Sequence, residues 1–477
     1  MIALIQLSPI LLVISLIMGL KRPPVQAALM GSLLALALWF GGLADPFLPA
    51  TLVRVLQDST VLFLSTACVI APGLLFVIYL ERIRANQALE GWVSGLGWRG
   101  AALAVFVVLG LAPLLESMTG FGVSLIATVP LLLALLDRQV ALRIALTGMC
   151  IMPWGTLGLA TVIGAALAGL PAETLGAWAA WTSAPVFMLA ISLALWLMGQ
   201  RHPLVYLAGC AMAGLFILLL HLISRTAGPE IAGVGAGGAI LLAGLAWARF
   251  KEQARLQFPR QAWPYLALLA AILLLKGLNA LFGIADLLVV QGNQVSWKPL
   301  ASPGLALLCV SLLLIAREGS QQLGQAWFNR AKRPLLTILF FLFMSQLLVK
   351  AGFLTSINQG LSELSASLLS PLIALFGALS GYITGSNVGG NAIVMPSIAH
   401  LPLAPSLLPI MAAVQNSAAG HAALGSLPMV ALLIGLAKGS HEEEQSLIRF
   451  AFWLVLANTL LVAAVGTLLA SAITTGG

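Results

Sequence analysis

Two short polar stretches lie deep within apolar sequence, Glu116-Ser117-Met118-Thr119-Gly120-Phe121-Gly122-Val123 and Tyr382-Ile383-Thr384-Gly385-Ser386-Asn387-Val388-Gly389-Gly390-Asn391. Their residue types suit the binding of a small solute and a proton. A carboxylate inside a membrane is costly unless it is paired or protonated, so Glu116 is a candidate proton carrier. The hydroxyl and amide groups of Thr119, Thr384, Ser386, Asn387 and Asn391 can hydrogen-bond a small polyoxygen solute. Gly120, Gly122, Gly385, Gly389 and Gly390 let the backbone leave helical geometry at low steric cost. The N–H and C=O groups freed there are tolerated only if buried in protein or lining a wet cavity. A helix that begins at such a break carries partial positive charge at its N-terminus, so a carboxylate can bind there without a nearby Arg or Lys.

Each of these residues also has a plain structural use. Glycine serves close helix packing, Ser and Thr bond their own helix backbone, and a neutral Glu116 can hold a turn. The pairing of the two stretches favours the functional reading. At a constant offset of 265 residues, Thr119, Gly120, Val123, Ala127, Val129 and Ala134 meet identical residues at Thr384, Gly385, Val388, Ala392, Val394 and Ala399, and Gly155 then meets Gly420. Matched, Gly-interrupted segments in two halves of a chain are the usual pointer to a transporter binding site. A second polar cluster follows the second stretch: Gln415, Asn416, Ser417, Gly420 and His421. Asn416 is its best contact candidate, and His421 is either a proton relay or a buried structural histidine. The corresponding place in the first half is Pro153-Trp154-Gly155-Thr156, where Pro and Gly also interrupt a helix.

The elements that must position these residues are membrane helices. The chain has 477 residues, 60% hydrophobic and 8% charged, whereas charged residues make up about a quarter of a soluble domain. An all-α polytopic membrane protein is expected. Apolar stretches near the ~20 residues a spanning helix needs occur at 2–20, 25–42, 60–80, 144–170, 176–199, 203–223, 231–249, 263–285, 302–316, 334–353, 407–436 and 447–472, about 12 transmembrane helices. Residues 100–136 and 366–401 are broken in the middle and read as two re-entrant hairpins. The first apolar segment lacks a preceding basic region and reads as an anchored helix, with all 477 residues in the mature protein.

The net charge of +8 is a topology signal, not a nucleic-acid footprint, because the basic residues sit in short loops beside spans. Placing these loops in the cytoplasm leaves Arg54, Arg225, Lys298 and Lys350 outside and Lys276 within a span. Both termini then lie outside. The first hairpin dips in from the cytoplasm and the second from outside. The offset links spans that run in opposite directions, which makes an inverted-topology repeat: 1–200 as the first repeat, 201–261 as linking helices, and 262–477 as the second repeat. Glu81 and Asp58 are expected at the membrane interface. Lys276 can attract an anion, pair with an acid or snorkel. Cys68, Cys150, Cys210 and Cys309 lie within expected spans without ligand spacing, so neither a disulfide nor a metal site is expected, and no cofactor is implied. Enzyme motifs are lacking: there is no phosphate-binding loop with Lys, no nucleophile elbow and no His-Glu-x-x-His.

The run Leu115-Glu116-Ser117-Met118-Thr119-Gly120-Phe121-Gly122 resembles the Glu-Gly-Ala-Ala-Gly-Phe-Gly element of the bacterial L-lactate permease family. Ile383-Thr384-Gly385-Ser386-Asn387 with Asn391 is similar to that family's Thr-Gly-Ser-Asp/Asn-x-x-x-Asn element, and Gln415-Asn416-Ser417 with Gly420 to its next Asn/Ser/Gly-rich segment. The resemblance implies a proton-coupled importer of lactate, glycolate or a related 2-hydroxymonocarboxylate in the bacterial inner membrane. It also implies Glu116, Gly120, Phe121, Gly122, Thr384, Gly385, Ser386, Asn387 and Asn391 as site elements. Ser117-Met118-Thr119 and Val388-Gly389-Gly390 depart from the family pattern towards a bulkier, less hydroxylated site.

The expected function is therefore secondary active transport of a small monocarboxylate, by proton symport with alternating access. The expected partners are a small organic anion, a proton and the lipid bilayer. Homo-oligomerisation is left open. A sodium-coupled organic-acid transporter is the nearest alternative, since unwound carbonyls with Thr, Ser and Asn also suit sodium. A passive anion channel is a more distant one, because it needs a continuous polar path.

Overall fold

The computed structural model describes residues 2–120, 122–318 and 323–476. The chain is an all-α polytopic membrane protein. Among the described residues, eleven helices are long and apolar enough to cross a membrane, and they include the first arms of both hairpins, Gly100–Thr119 and Ser367–Thr384. Three shorter apolar helices, Leu4–Gly19, Pro24–Phe40 and Pro303–Ala316, stand where further spans are expected. The second arms, Val123–Leu135 and Asn387–Ala399, have 13 residues each. A helix of that length rises only about 20 Å, against a hydrocarbon core of about 30 Å, so each arm returns to the face from which its hairpin started.

Following the helices in order brings Lys21, Arg82, Arg138, Arg249, Arg330 and Lys438 to one end of the bundle, the basic face. Ion pairs bind helices together there: Arg330 with Glu81, and Arg138 with Glu443. Arg138 also donates to the Ala437 carbonyl at 2.7 Å. The first hairpin starts from this face. The second starts from the opposite face, where the 286–301 loop carries a two-stranded antiparallel ladder pairing Val290 with Trp297.

At the opposite face Asp58 is covered by protein, which its place near a span end did not signal. Glu81 is surface-exposed at the basic face, but Asp58 is fully buried. The ladder loop folds over Asp58, whose Oδ1 accepts the N–H groups of Asn293 and Gln294 at 2.6 and 3.0 Å, while Lys350 Nζ lies 2.8 Å from Oδ2. Lys276 lies in the second half of the helix Trp263–Phe282. Its ammonium pairs with Glu230 at 3.2 Å and donates to the Ala227 carbonyl at 3.0 Å.

The core is continuous and built by close helix approach. On the first arm of the second hairpin, Gly377 and Gly381 face the helix Leu408–Ala423. A Cβ at Gly381 would stand 2.0 Å from the Ala419 carbonyl oxygen, so the backbones touch as small residues allow in membranes. The helices after the two hairpins, Arg138–Ala168 and Leu408–Ala437, are both broken. The first turns left-handed at Thr156, Leu157 and Gly158. The second is interrupted between Ala423 and Leu427.

Candidate substrate and proton site

The two hairpin tips and the two broken helices surround one cavity of about 430 Å³. Glu116 contributes from the first hairpin, and Thr384, Gly385, Ser386, Asn387 and Val388 from the second. The broken helices add Met152, Gly155, Thr156, Leu159 and Ala160 on one side, and Pro428, Met429 and Leu432 on the other. Pro24, Arg333, Pro334 and Thr337 complete it on the basic side.

Glu116 is part of this wall yet has no exposed surface. Its carboxylate turns towards the start of the returning arm. Oε1 accepts the Gly122 N–H at 3.1 Å, and Oε2 accepts the Ser124 hydroxyl at 2.8 Å and the Ser124 N–H at 3.4 Å. Glycine shapes this tip: the chain leaves the first arm through Gly120 (φ 70°) and enters the second through Gly122 (φ 73°). The N-terminal N–H groups that the sequence suggested for a substrate carboxylate are thus held by the protein's own carboxylate.

Gly120 and Gly122 do not line the cavity. Gly120 lets the broken helix approach, since a Cβ there would stand 1.7 Å from Thr156 Oγ1. The Thr119 hydroxyl donates to the Leu115 carbonyl at 2.6 Å, the local backbone bond a helical threonine often makes. Phe121 lies outside the described residues.

At the second tip, Gly385 (φ 63°) ends the first arm and Ser386 caps the second, its Oγ accepting the Gly389 N–H at 3.3 Å. Thr384 Oγ1 donates to the carbonyls of Ser380 and Ser386 at 2.8 and 2.9 Å. Both returning arms therefore begin at the tips, at Val123 and Asn387, so the positive ends of their backbone dipoles lie at the tips.

Behind Asn387 lies an amide network that sequence reasoning found in part. Asn416 Oδ1 accepts from Asn387 and Asn391 Nδ2 at 3.3 and 2.8 Å. Asn391 also donates to the Ala160 carbonyl at 3.0 Å, and Asn416 Nδ2 donates to Thr161 Oγ1 at 2.9 Å. Asn391 and Asn416 thus join the second hairpin to the broken helix one layer behind the cavity. Oδ1 of Asn387 and of Asn391 has no hydrogen-bond partner among the described residues.

His421 is not brought to the cavity. Residues four apart share a helix face, so His421 sits with Ser417, not with Asn416. Its Nε2 lies 2.8 Å from Ser183 Oγ, which donates to Ser417 Oγ at 2.9 Å. The ring packs edge-on against Phe187.

Sequence reasoning missed Ser124, Thr161 and Arg333. The first two are single hydroxyls in apolar helices without any local signal. Arg333 was read only as part of the basic loops. Thr156 and Gly155 were marked as a helix interruption, and the three consecutive left-handed residues go beyond that signal.

No protein-family model matches the chain, and no curated protein matches it. A solved structure, the YdaH transporter of Alcanivorax borkumensis, described as having an unusual topology, is similar in fold. Its TM-score is 0.52 at 15% sequence identity, over 95% of this chain and 99% of that one. At this identity the likeness establishes the fold alone.

Proposed function

We propose that the chain is a secondary transporter that moves a small monocarboxylate, such as lactate, glycolate or a related 2-hydroxy acid, together with a proton by alternating access. The observation that carries this reading is Glu116: a wholly buried carboxylate on the wall of a cavity between two opposed hairpin tips, held by the N–H groups of the arm it faces. The YdaH transporter's fold, and the resemblance of the Glu116 and Thr384 stretches to lactate permeases, support the same class.

The coupling follows from the cap. The charged carboxylate of Glu116 is stabilised by Gly122 and Ser124 at a helix N-terminus. Protonation removes that attraction and releases the same donors to a substrate carboxylate, so a proton and an anion are taken up together and their charges cancel. Thr384, Ser386 and Asn387 supply acceptors and donors for the substrate's remaining oxygens. The inverted repeat of 1–200 and 262–477 supplies two related halves whose hairpins exchange access between the faces. The basic face is the cytoplasmic one by the distribution of Lys and Arg, which places both termini outside.

Sodium coupling is the second reading. It is favoured by Asn387 and Asn391 Oδ1, two buried oxygens without a donor beside the shared Asn416 Oδ1. Uptake of labelled D-lactate, L-lactate and glycolate into sodium-free proteoliposomes under an inward proton gradient separates the readings. Accumulation that a protonophore abolishes supports proton symport. Accumulation that appears only with sodium supports the second reading, and no uptake of these acids in either condition overturns the substrate assignment.

A further inference from the structure

The cavity wall holds two charged side chains: Glu116, buried beside the tips, and Arg333, exposed on the basic side. We propose that Arg333 captures the substrate anion at the mouth of the cavity before the tips receive it. This rests on the transport reading above and deepens it.

The neighbouring cations are engaged elsewhere. Arg330 pairs with Glu81 at 2.7 Å, and the Lys332 ammonium stands 5.7 Å from the centre of the Phe328 ring. Arg333 makes no ion pair among the described residues, and the other residues around the mouth, Pro24, Pro334, Thr337 and Ile338, carry no charge. Lys21 and Arg22, close in sequence to Pro24, add to the positive potential, but only the Arg333 guanidinium borders the cavity itself. The low-dielectric walls of the cavity, formed by Ile70, Met429 and Leu432, focus that field inward. A guanidinium also matches the two oxygens of a carboxylate with paired donors. With Glu116 protonated, the wall carries the single positive charge of Arg333, which matches a monoanion. A dianion leaves one charge without a counterpart.

The test reads the potential directly, without assuming which acid is carried. Thr337 lines the cavity one helical turn from Arg333, and its hydroxyl donates to the Arg333 carbonyl at 2.8 Å. Cysteine is introduced there (Thr337→Cys), with Pro334→Cys as a second reporter, in protein whose Cys68, Cys210 and Cys309 are replaced by serine. The labelling rates of a sulfonate-bearing and a quaternary-ammonium methanethiosulfonate are compared in detergent, with and without Arg333→Gln. The preference for the anionic reagent is expected to fall about tenfold on Arg333→Gln at low salt, and the difference to shrink at high salt. An unchanged ratio at both reporters overturns the proposal. In proteoliposomes, Arg333→Gln is expected to raise the apparent KM for the transported acid with little change in maximal rate, and Arg333→Lys to restore most of it. If the ratio shifts but the unaltered protein carries none of the acids, the transport reading fails while the anion-attracting mouth stands. If transport proceeds and the ratio does not shift, only the role of Arg333 fails.

Discussion

Glu116 does two jobs with one carboxylate: it caps the returning arm of the first hairpin and it borders the cavity. Glu116→Gln keeps the shape and can still accept the Gly122 N–H, but it cannot gain or lose a proton. The variant is expected to fold and to lose accumulation driven by a pH gradient, read as labelled-acid uptake at fixed membrane potential. Gly120 carries a different demand. It has φ 70° and sits against Thr156, which is itself left-handed at φ 53°. Gly120→Ala is expected to cost at least about 1–3 kcal/mol from the backbone alone, with the clash in addition, seen as a lower melting temperature in detergent. Adding Thr156→Gly removes both the obstructing side chain and its own strain, so the double variant should melt above Gly120→Ala; additive losses would contradict the contact. Thr-Gly in an apolar run was a legible sign of this break. That Gly120 makes room for Thr156 was not, because the contact joins residues from separate helices whose packing no local pattern encodes.

At the scale of elements, pattern and length were informative, and polar pairing across elements was not. The Gly-interrupted runs at 100–136 and 366–401 became hairpins because their second arms are too short to cross. The Asn416 network was half legible: the amides were visible as a cluster, but their partners Thr161 and Ala160 come from the other half of the chain. The burial of Asp58 was not legible for a similar reason, since only the folded ladder loop shows how it is covered. Asp58 and Lys350 join the helices Pro49–Arg82 and Leu323–Lys350 and are nearly inaccessible, at 0% and 8% side-chain exposure. Removing one member leaves a buried charge without its partner. Lys350→Met is expected to destabilise by about 3–5 kcal/mol, and the double change with Asp58→Asn to recover much of that loss. Equal melting temperatures for the single and double variants would contradict a buried pair.

For the whole molecule, Arg138 and Glu443 link segments 305 residues apart at the basic face. The hydrogen bond from Arg138, with a further one from the Ser440 N–H, holds the Glu443 carboxyl below its usual range. A group depressed on folding stabilises above its unfolded pKa and loses that contribution as pH falls through its folded value. The melting difference between the unaltered protein and Arg138→Gln should therefore be steady near neutrality and shrink below about pH 4. A difference that persists in acid would assign the effect to the Ala437 contact instead. The basic residues were read as a topology signal, which did not reveal that one of them, Arg333, also borders the cavity. The central claim is that Glu116 carries the proton that moves with the anion, and lumenal pH reports this most directly. Proteoliposomes in sodium-free potassium buffer, with valinomycin clamping the potential and a trapped pH dye, are given lactate or glycolate in the presence of the unaltered protein or Glu116→Gln. Lumenal acidification that requires the acid and is lost in Glu116→Gln is the predicted result; substrate uptake without proton movement, or the same acidification in both proteins, would contradict it.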